Sequence, residues 1–165
     1  MLFRSAVLSV SSLTLNQALT SQGIVSAGTL TINGTCTVAG GSLGATTLTA
    51  TSVLVELGGT LSGGTIASSV TNNGNVALSA SMNVTGNYSQ ASSAALTEQF
   101  GATLHVQSSA TLSGALNVQV NPKRPPKSGA SYTALTAGSL SGSFTSVTAG
   151  FTATTIGDSI QVTKN

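Results

Sequence analysis

The ionisable side chains of this sequence are few and widely spaced. Glu56, Glu98 and Asp158 are its acids, and His105 and Cys36 are its single His and Cys. Proton transfer requires groups within about 3 Å of the reacting atom, and a serine nucleophile requires a base and an orienting acid. Isolated acids and one His do not meet these requirements. The sequence therefore predicts that the protein is not an enzyme and has no catalytic residue, cofactor site or metal site.

Positive charge is concentrated in one short segment. Pro122–Lys127 (PKRPPK) contains three of the five basic residues, and the formal net charge is only +2. Because Pro favours an extended chain and donates no ladder hydrogen bond, we interpret this segment as a surface loop; contact with an anionic surface or a neighbouring subunit is the alternative. So few bases predict no nucleic-acid partner. The absence of any apolar run of about 18 residues predicts no membrane insertion.

Three asparagines match the pattern for N-glycosylation, namely Asn33, Asn83 and Asn87. A chain so rich in Asn, Ser and Thr produces such matches by chance, so they matter only where a glycosylating pathway exists. The local alternation of polar and apolar residues leaves Asn33 and Asn83 free to face solvent.

The elements that must position these residues are indicated by composition and periodicity. Charged residues make up 5% of the chain, and 26 Ser, 25 Thr and 19 Gly make up about four-tenths of it. Short runs such as Thr29–Asn33, Thr35–Val38, Asn75–Leu78 and Ala115–Val120 alternate polar and apolar residues and often end at Gly or Asn. This pattern predicts strands of three to five residues and almost no helix.

A stack of coils suits these short strands better than a β-sandwich does. A sandwich has a core about 10 Å thick that is usually filled by aromatics, whereas this chain has no Trp, two Tyr and four Phe. Weak repeats of about 20 residues fit one coil each. The alternation turns Cys36 inward, and Glu56 and His105 outward. The predicted core contains Leu30, Ile32, Val38, Leu48, Leu78, Val84, Leu104, Val106, Leu116 and Val118.

The N-terminal segment has its own pattern. Arg4 precedes a short apolar run, Ala6–Val10, which is interrupted by Ser9 and followed by more serines. We interpret it as a first strand or cap; a secretion signal is the alternative. A terminal coil has unpaired backbone groups that invite another chain. We therefore expect self-association through Leu2, Phe3, Leu8 and Val10.

Several motifs in residues 65–165 resemble a known family. They are Val70–Leu78 (VTNNGNVAL), Met82–Gln90 (MNVTGNYSQ), Ala110–Val118 (ATLSGALNV), Gly129–Phe144 and Gly157–Thr163. These segments are similar to coils of bacterial autotransporter passenger domains and filamentous-haemagglutinin-like proteins. The resemblance implies a β-helix with a C-terminal cap, a surface or secreted location, and a scaffold or adhesive role.

Together these observations predict an all-β protein, a right-handed parallel β-helix with a C-terminal β cap. Residues 1–120 would form the solenoid coils, 121–130 a Pro/Lys-rich loop, and 131–165 the cap. The predicted function is that of an extracellular or cell-surface structural subunit, which assembles head to tail with copies of itself into a fibre or surface layer. An adhesin or glycan-binding fragment, with host or surface glycans as partners, is the alternative.

Overall fold

The computed structural model describes the backbone of residues 1–165 and every side chain except those of residues 3–6. In the part of the chain that it describes, every regular element is a strand, so the expectation of an all-β protein is confirmed. The strands are β1 Leu2–Leu15, β2 Leu19–Ile32, β3 Thr35–Val38, β4 Gly41–Thr49, β5 Ser52–Val55, β6 Gly59–Ala67, β7 Val70–Asn72, β8 Asn75–Leu78, β9 Met82–Val84, β10 Tyr88–Gln90, β11 Ala95–Gln99, β12 Leu104–Val106, β13 Ser109–Leu112, β14 Ala115–Gln119, β15 Ser131–Thr136, β16 Ser139–Gly142, β17 Ser146–Val147, β18 Phe151–Ile156 and β19 Ser159–Lys164.

The strands wind into a parallel β-solenoid, as predicted, and the solenoid has about six turns. Each coil has strand residues on three sides, and on each side these residues pair with those of the coils before and after. We name the three sides faces A, B and C. Face A contains the inward column Leu19, Cys36, Val53, Val70, Tyr88 and Ala110. Face B contains Val25, Leu43, Leu61, Val76, Leu96 and Leu116. Face C contains Leu30, Leu48, Ile66, Val84 and Val106. Along face A successive members are 17, 17, 17, 18 and 22 residues apart, close to the expected repeat.

The core is a stack of aliphatic layers inside these faces. All ten residues predicted to be inward are buried, with at most 6% of their surface exposed. Their alternation partners, such as Thr31 and Asn117, are partly or fully exposed. Since a strand that slips by one residue exchanges its two faces, this agreement confirms the register that the sequence indicates.

Strand length is where the fold departs from expectation. The prediction of three to five residues is correct for β3, β5, β7–β14 and β16. It is wrong for β15, β18 and β19, with six residues each, β17 with two, β4 and β6 with nine, and β1 and β2 with 14. In the early coils the ladder pairing continues through the bends, so that β4 and β6 each serve faces B and C, and β1 and β2 each serve all three faces. Small residues at the bend, such as Gly28 and Gly64, allow this, because a Cβ there would collide with the backbone of the neighbouring coil.

The solenoid pairing continues beyond the loop at residues 121–130. Strands β15, β16 and β17 pair in parallel with β12, β13 and β14 of the preceding coil. The chain then forms an antiparallel hairpin of β18 and β19, and β19 also pairs antiparallel with β15. Residues 131–165 therefore contain both a last layer of parallel strands and a hairpin. Whether they act as a cap stays a prediction.

Candidate functional site

The ionisable residues singled out in the sequence are not brought together. Glu56 is exposed, as predicted, and Asp158 lies between β18 and β19, where its Oδ1 accepts a hydrogen bond from the Leu140 N–H at 3.0 Å. His105 is partly buried on the outer side of β12, and its Nδ1 lies 2.9 Å from Thr136 Oγ1. Among the described side chains, no cluster of three or more His, Cys, Asp or Glu could hold a metal ion.

The lone Cys36 is buried in the face A column, as the alternation predicted. Burial raises the pKa of its thiol to about 12, so it stays protonated at neutral pH. A protonated, enclosed thiol is a small apolar core residue. The Pro122–Lys127 segment is a loop with mostly exposed residues between β14 and β15, in agreement with its interpretation.

The asparagines of the three glycosylation motifs all lie on the surface. Asn33 Nδ2 donates to Asn16 Oδ1 of the preceding coil at 3.0 Å. Asn87 Oδ1 accepts from the N–H and the Oγ of Ser109, at 3.2 and 2.9 Å. Asn87, for which alternation made no statement, is thus as exposed as Asn33 and Asn83. Whether any of them carries a sugar stays a prediction.

The N-terminal coil forms an open edge, which we define as the free side of β1. This strand pairs with β2 along its other side, from Leu2 to Leu15. In the part of the chain that the structure describes, β2 is the only strand that pairs with β1. Of the four residues predicted to mediate self-association, Leu2 is 48% exposed, Leu8 and Val10 are partly buried, and the side chain of Phe3 lies outside the described residues.

The coil beneath this edge shows what a covered position looks like. Leu8 pairs with Val25 and Leu13 pairs with Leu30, and both partners have at most 1% of their surface exposed. Leu8 and Leu13 belong to the same columns but are only partly buried, because no coil of the described structure covers them. Their incomplete burial follows from the position of β1 in this structure and not from their residue type.

Two shallow grooves lie side by side on the surface of the middle coils. The first, of about 380 Å³, runs along the bend between faces B and C and is lined by small residues such as Ser26, Gly44 and Gly63. The second, of about 360 Å³, is lined by polar side chains including Asn75 and Gln119. Ser62 and Ser79 line both grooves. Hydroxyl and amide groups therefore line much of this surface.

A buried polar network, which sequence reasoning missed, crosses the core of the later coils. Tyr88 Oη donates to Gln90 Oε1 at 2.7 Å, and Asn72 Nδ2 donates to Tyr88 Oη at 3.1 Å. Gln90 Nε2 donates to the carbonyl oxygens of Ser113 and Ala115 at 2.7 and 3.0 Å. All three side chains have at most 3% of their surface exposed. Burial raises the pKa of Tyr88 well above its usual value.

The signal for this network was present in the alternation. Tyr88 and Gln90 are two positions apart on β10, with Ser89 between them. Because side chains on a strand alternate between its two sides, both face inward when either one does. The Gln90 amide satisfies the carbonyl of Ser113, which lies between β13 and β14, since buried polar groups need partners. The network therefore links successive coils where the regular ladder is interrupted.

Glu98 is the second feature that the sequence analysis missed. It follows Leu96 by two residues on β11, so the same alternation turns it inward, and none of its surface is exposed. Its Oε1 accepts a hydrogen bond from Tyr132 Oη at 2.5 Å, and its Oε2 is buried without a partner. Burial raises the pKa of the carboxyl to about 8, although the Tyr132 hydrogen bond acts in the opposite direction.

These observations define the class of the protein as a parallel β-solenoid, in which β1 forms an open edge. No protein-family model, curated protein or solved structure matches the chain. The similarity to autotransporter passengers and filamentous-haemagglutinin-like proteins therefore stays a prediction. In the described residues no helix has the length and apolar character needed to cross a membrane.

Proposed function

We propose that this chain is an extracellular structural subunit that assembles end to end, head to tail, into a fibre or surface layer. The observation that carries the proposal is the open edge of β1. Unpaired N–H and C=O groups along a strand form a template for another strand. Here that template is as long as β1 itself, 14 residues.

The side chains of the open edge support the same conclusion. Leu8, Val10, Leu13 and Leu15 occupy columns whose next members, in β2, are buried. A coil added from a second copy would bury them to the same extent, and burial of apolar surface contributes about 25 cal/mol per Å². Arg4 is the only charged side chain in residues 1–15, so little electrostatic repulsion opposes the contact.

The C-terminal segment of the next copy is the acceptor in this proposal. Strands β16 and β17 pair in parallel with the preceding coil, and no second pairing of theirs is found in the described chain. Strand β16 continues face A and β17 continues face B; at the other end, β1 runs along these two faces and along face C. A head-to-tail contact would therefore extend parallel ladders from one copy into the next.

The test is to place a charge or a Pro in the open edge and to measure particle size by light scattering. We expect the wild-type chain to form particles that grow with concentration, and Leu8→Lys and Val10→Pro to stay monomeric. Leu57→Lys is the matched control, because Leu57 is apolar and 79% exposed but lies between β5 and β6, away from the ends. A monomeric wild-type chain at high concentration, or variants that assemble as it does, would contradict the proposal.

The second candidate is an adhesin or glycan-binding role, and the two adjoining grooves favour it. Their hydroxyl and amide groups are of the kinds that pair with sugar hydroxyls. In that case the chain stays monomeric in light scattering and binds members of an array of host or surface glycans. Gln119→Ala, in the polar groove, should then weaken the binding, whereas Leu57→Lys should not.

A further inference from the structure

We propose that Glu98 and Tyr132 form a proton-dependent latch, which holds residues 131–165 against the preceding coils while Glu98 is protonated and loosens when it is ionised. The proposal goes beyond assembly, since it concerns the order of the C-terminal segment within one chain. The first support for the proposal is the position of the two residues in the fold. Glu98 belongs to β11, within the solenoid, whereas Tyr132 belongs to β15, the first strand after the loop.

In its described surroundings Glu98 has one hydrogen bond, from Tyr132, and no basic side chain that would stabilise a negative charge. On the neighbouring strands its ladder partners are Leu78 of β8 and Val118 of β14. The titratable groups that face it are Tyr88 of β10 and Tyr132 of β15. Only Tyr132 donates to the carboxyl, and Oε2 has no partner in the described structure. A buried charge without full pairing is costly, so ionisation favours any opening that brings water to it.

Tyr132 connects this carboxyl to the rest of the C-terminal segment. Its ring packs against Phe100 with centroids 4.6 Å apart, and Phe100 lies 6.0 Å from the ring of Phe151 on β18. Lys164 of β19 lies near the same aromatic cluster but is not paired with Glu98 in the described structure. Its Nζ lies 5.2 Å from the Phe151 centroid and donates to the Gly150 carbonyl oxygen. Release of Tyr132 would thus loosen the contact between Phe100 and the hairpin.

The direction of the pH dependence follows from the raised pKa. The carboxyl has a pKa of about 8 when enclosed, against an ordinary value of 4.5 when open to water. The latch is therefore fully closed below pH 4.5, weakens as the pH rises, and gives no further change above pH 8. Within that window the opening constant rises about tenfold per pH unit, because one pKa unit corresponds to a factor of ten.

Hydrogen exchange read by mass spectrometry tests the latch. After correction for the intrinsic pH dependence of exchange, we expect protection of residues 131–165 to fall about a hundredfold from pH 5.5 to pH 7.5. Protection of residues 41–67 should stay constant. Glu98→Gln and Glu98→Leu should both abolish this loss of protection at higher pH. Glu98→Leu places an apolar residue beside Leu78 and Val118, so it tests the role of the carboxyl even if Glu98→Gln folds poorly. Glu56→Gln, at an exposed acid, should behave as wild type.

The role of Tyr132 is tested in the same experiment. Tyr132→Phe keeps the ring against Phe100 but removes the hydrogen bond, so it should increase opening of residues 131–165 at pH 5.5 about fivefold. Equal pH dependence in wild type and both Glu98 variants would overturn the latch. A loss of protection spread evenly over the chain, or no effect of Tyr132→Phe, would overturn it as well.

Discussion

One inward column of the solenoid changes its chemistry along the chain. On face A the column that begins at Ser21 continues through Val38 and Val55 in the early coils, and through Asn72 and Gln90 in the later ones. All are buried. After Ser21 the early coils thus fill this position with aliphatic side chains, and the later coils fill it with amides that bond to one another and to the backbone.

The same two regions differ in their backbones. The early coils have long strands that run through a bend without interruption, whereas β7–β14 have at most five residues and are separated by turns. Where the ladder is interrupted, as at Ser113 between β13 and β14, an inward amide such as that of Gln90 supplies a donor to the backbone carbonyl. The comparison teaches that regular coils need only apolar columns, while irregular coils need polar side chains inside.

The two ends of the chain should differ most when a whole terminal segment is deleted, in whether the shortened chain still folds and stays soluble. Deletion of residues 130–165 would uncover the hydrogen-bonding edges of β12–β14 and leave Glu98 without Tyr132, so we expect aggregation. Deletion of residues 1–17 would uncover β2, which is an edge of the same kind as β1, so the shortened chain should stay folded with lower stability. Size-exclusion chromatography and thermal unfolding measure both outcomes. A soluble, cooperative product from the first deletion would show that residues 130–165 are an appendage.

Core truncations should cost the same in both regions. Leu48 of the early coils and Leu96 of the later coils are both fully buried, so replacement by Ala should lower the free energy of unfolding by about 2–5 kcal/mol in each case. Thr31→Ala and Asn117→Ala, on the outer side, should cost about 0.5 kcal/mol or less. Urea unfolding measures all four variants. A reversed order of the inner and outer variants would mean that the register is wrong by one residue.

The two regions also differ in how far sequence reasoning could go. The fold class and the core were predictable because alternation with a period of two is a local signal, and Leu or Val at every second position defines the inner side. The inward direction of Glu98 was encoded by the same alternation, through Leu96. Its pairing with Tyr132 was not, because the two residues are separated by a loop whose path depends on the assembled coil. The length of β1 was not predicted because Ser and Thr residues at a bend are as typical of a turn as of a strand that continues through the bend.

Removal of a buried polar side chain should lower the free energy of unfolding more in the later coils than in the early ones. The expected difference is smaller than the cost of a core truncation. Gln90→Ala would leave the carbonyl oxygens of Ser113 and Ala115 and the hydroxyl of Tyr88 short of partners, which should cost about 1–3 kcal/mol. Ser21→Ala is the matched change in the same column of the early coils. Its Oγ makes one long hydrogen bond, 3.4 Å to the Gly23 carbonyl oxygen, so we expect a cost of about 1 kcal/mol or less. Equal costs in urea unfolding would show that the amides of the later coils are incidental.

The smallest effects should come from the outer polar contacts, and here the two regions should be alike. Asn33 donates to Asn16 at 3.0 Å in the early coils, and Gln99 donates to Gln119 at 2.8 Å in the later ones. All of these amides can bond to water once a partner is lost, because both pairs are solvent-exposed, so an exposed hydrogen bond gives little net stability. Asn16→Ala and Gln119→Ala should each change the free energy of unfolding by about 0.5 kcal/mol or less. A loss above about 1.5 kcal/mol from Gln119→Ala alone would show that the outer surface of the later coils, and not only their interior, depends on polar contacts.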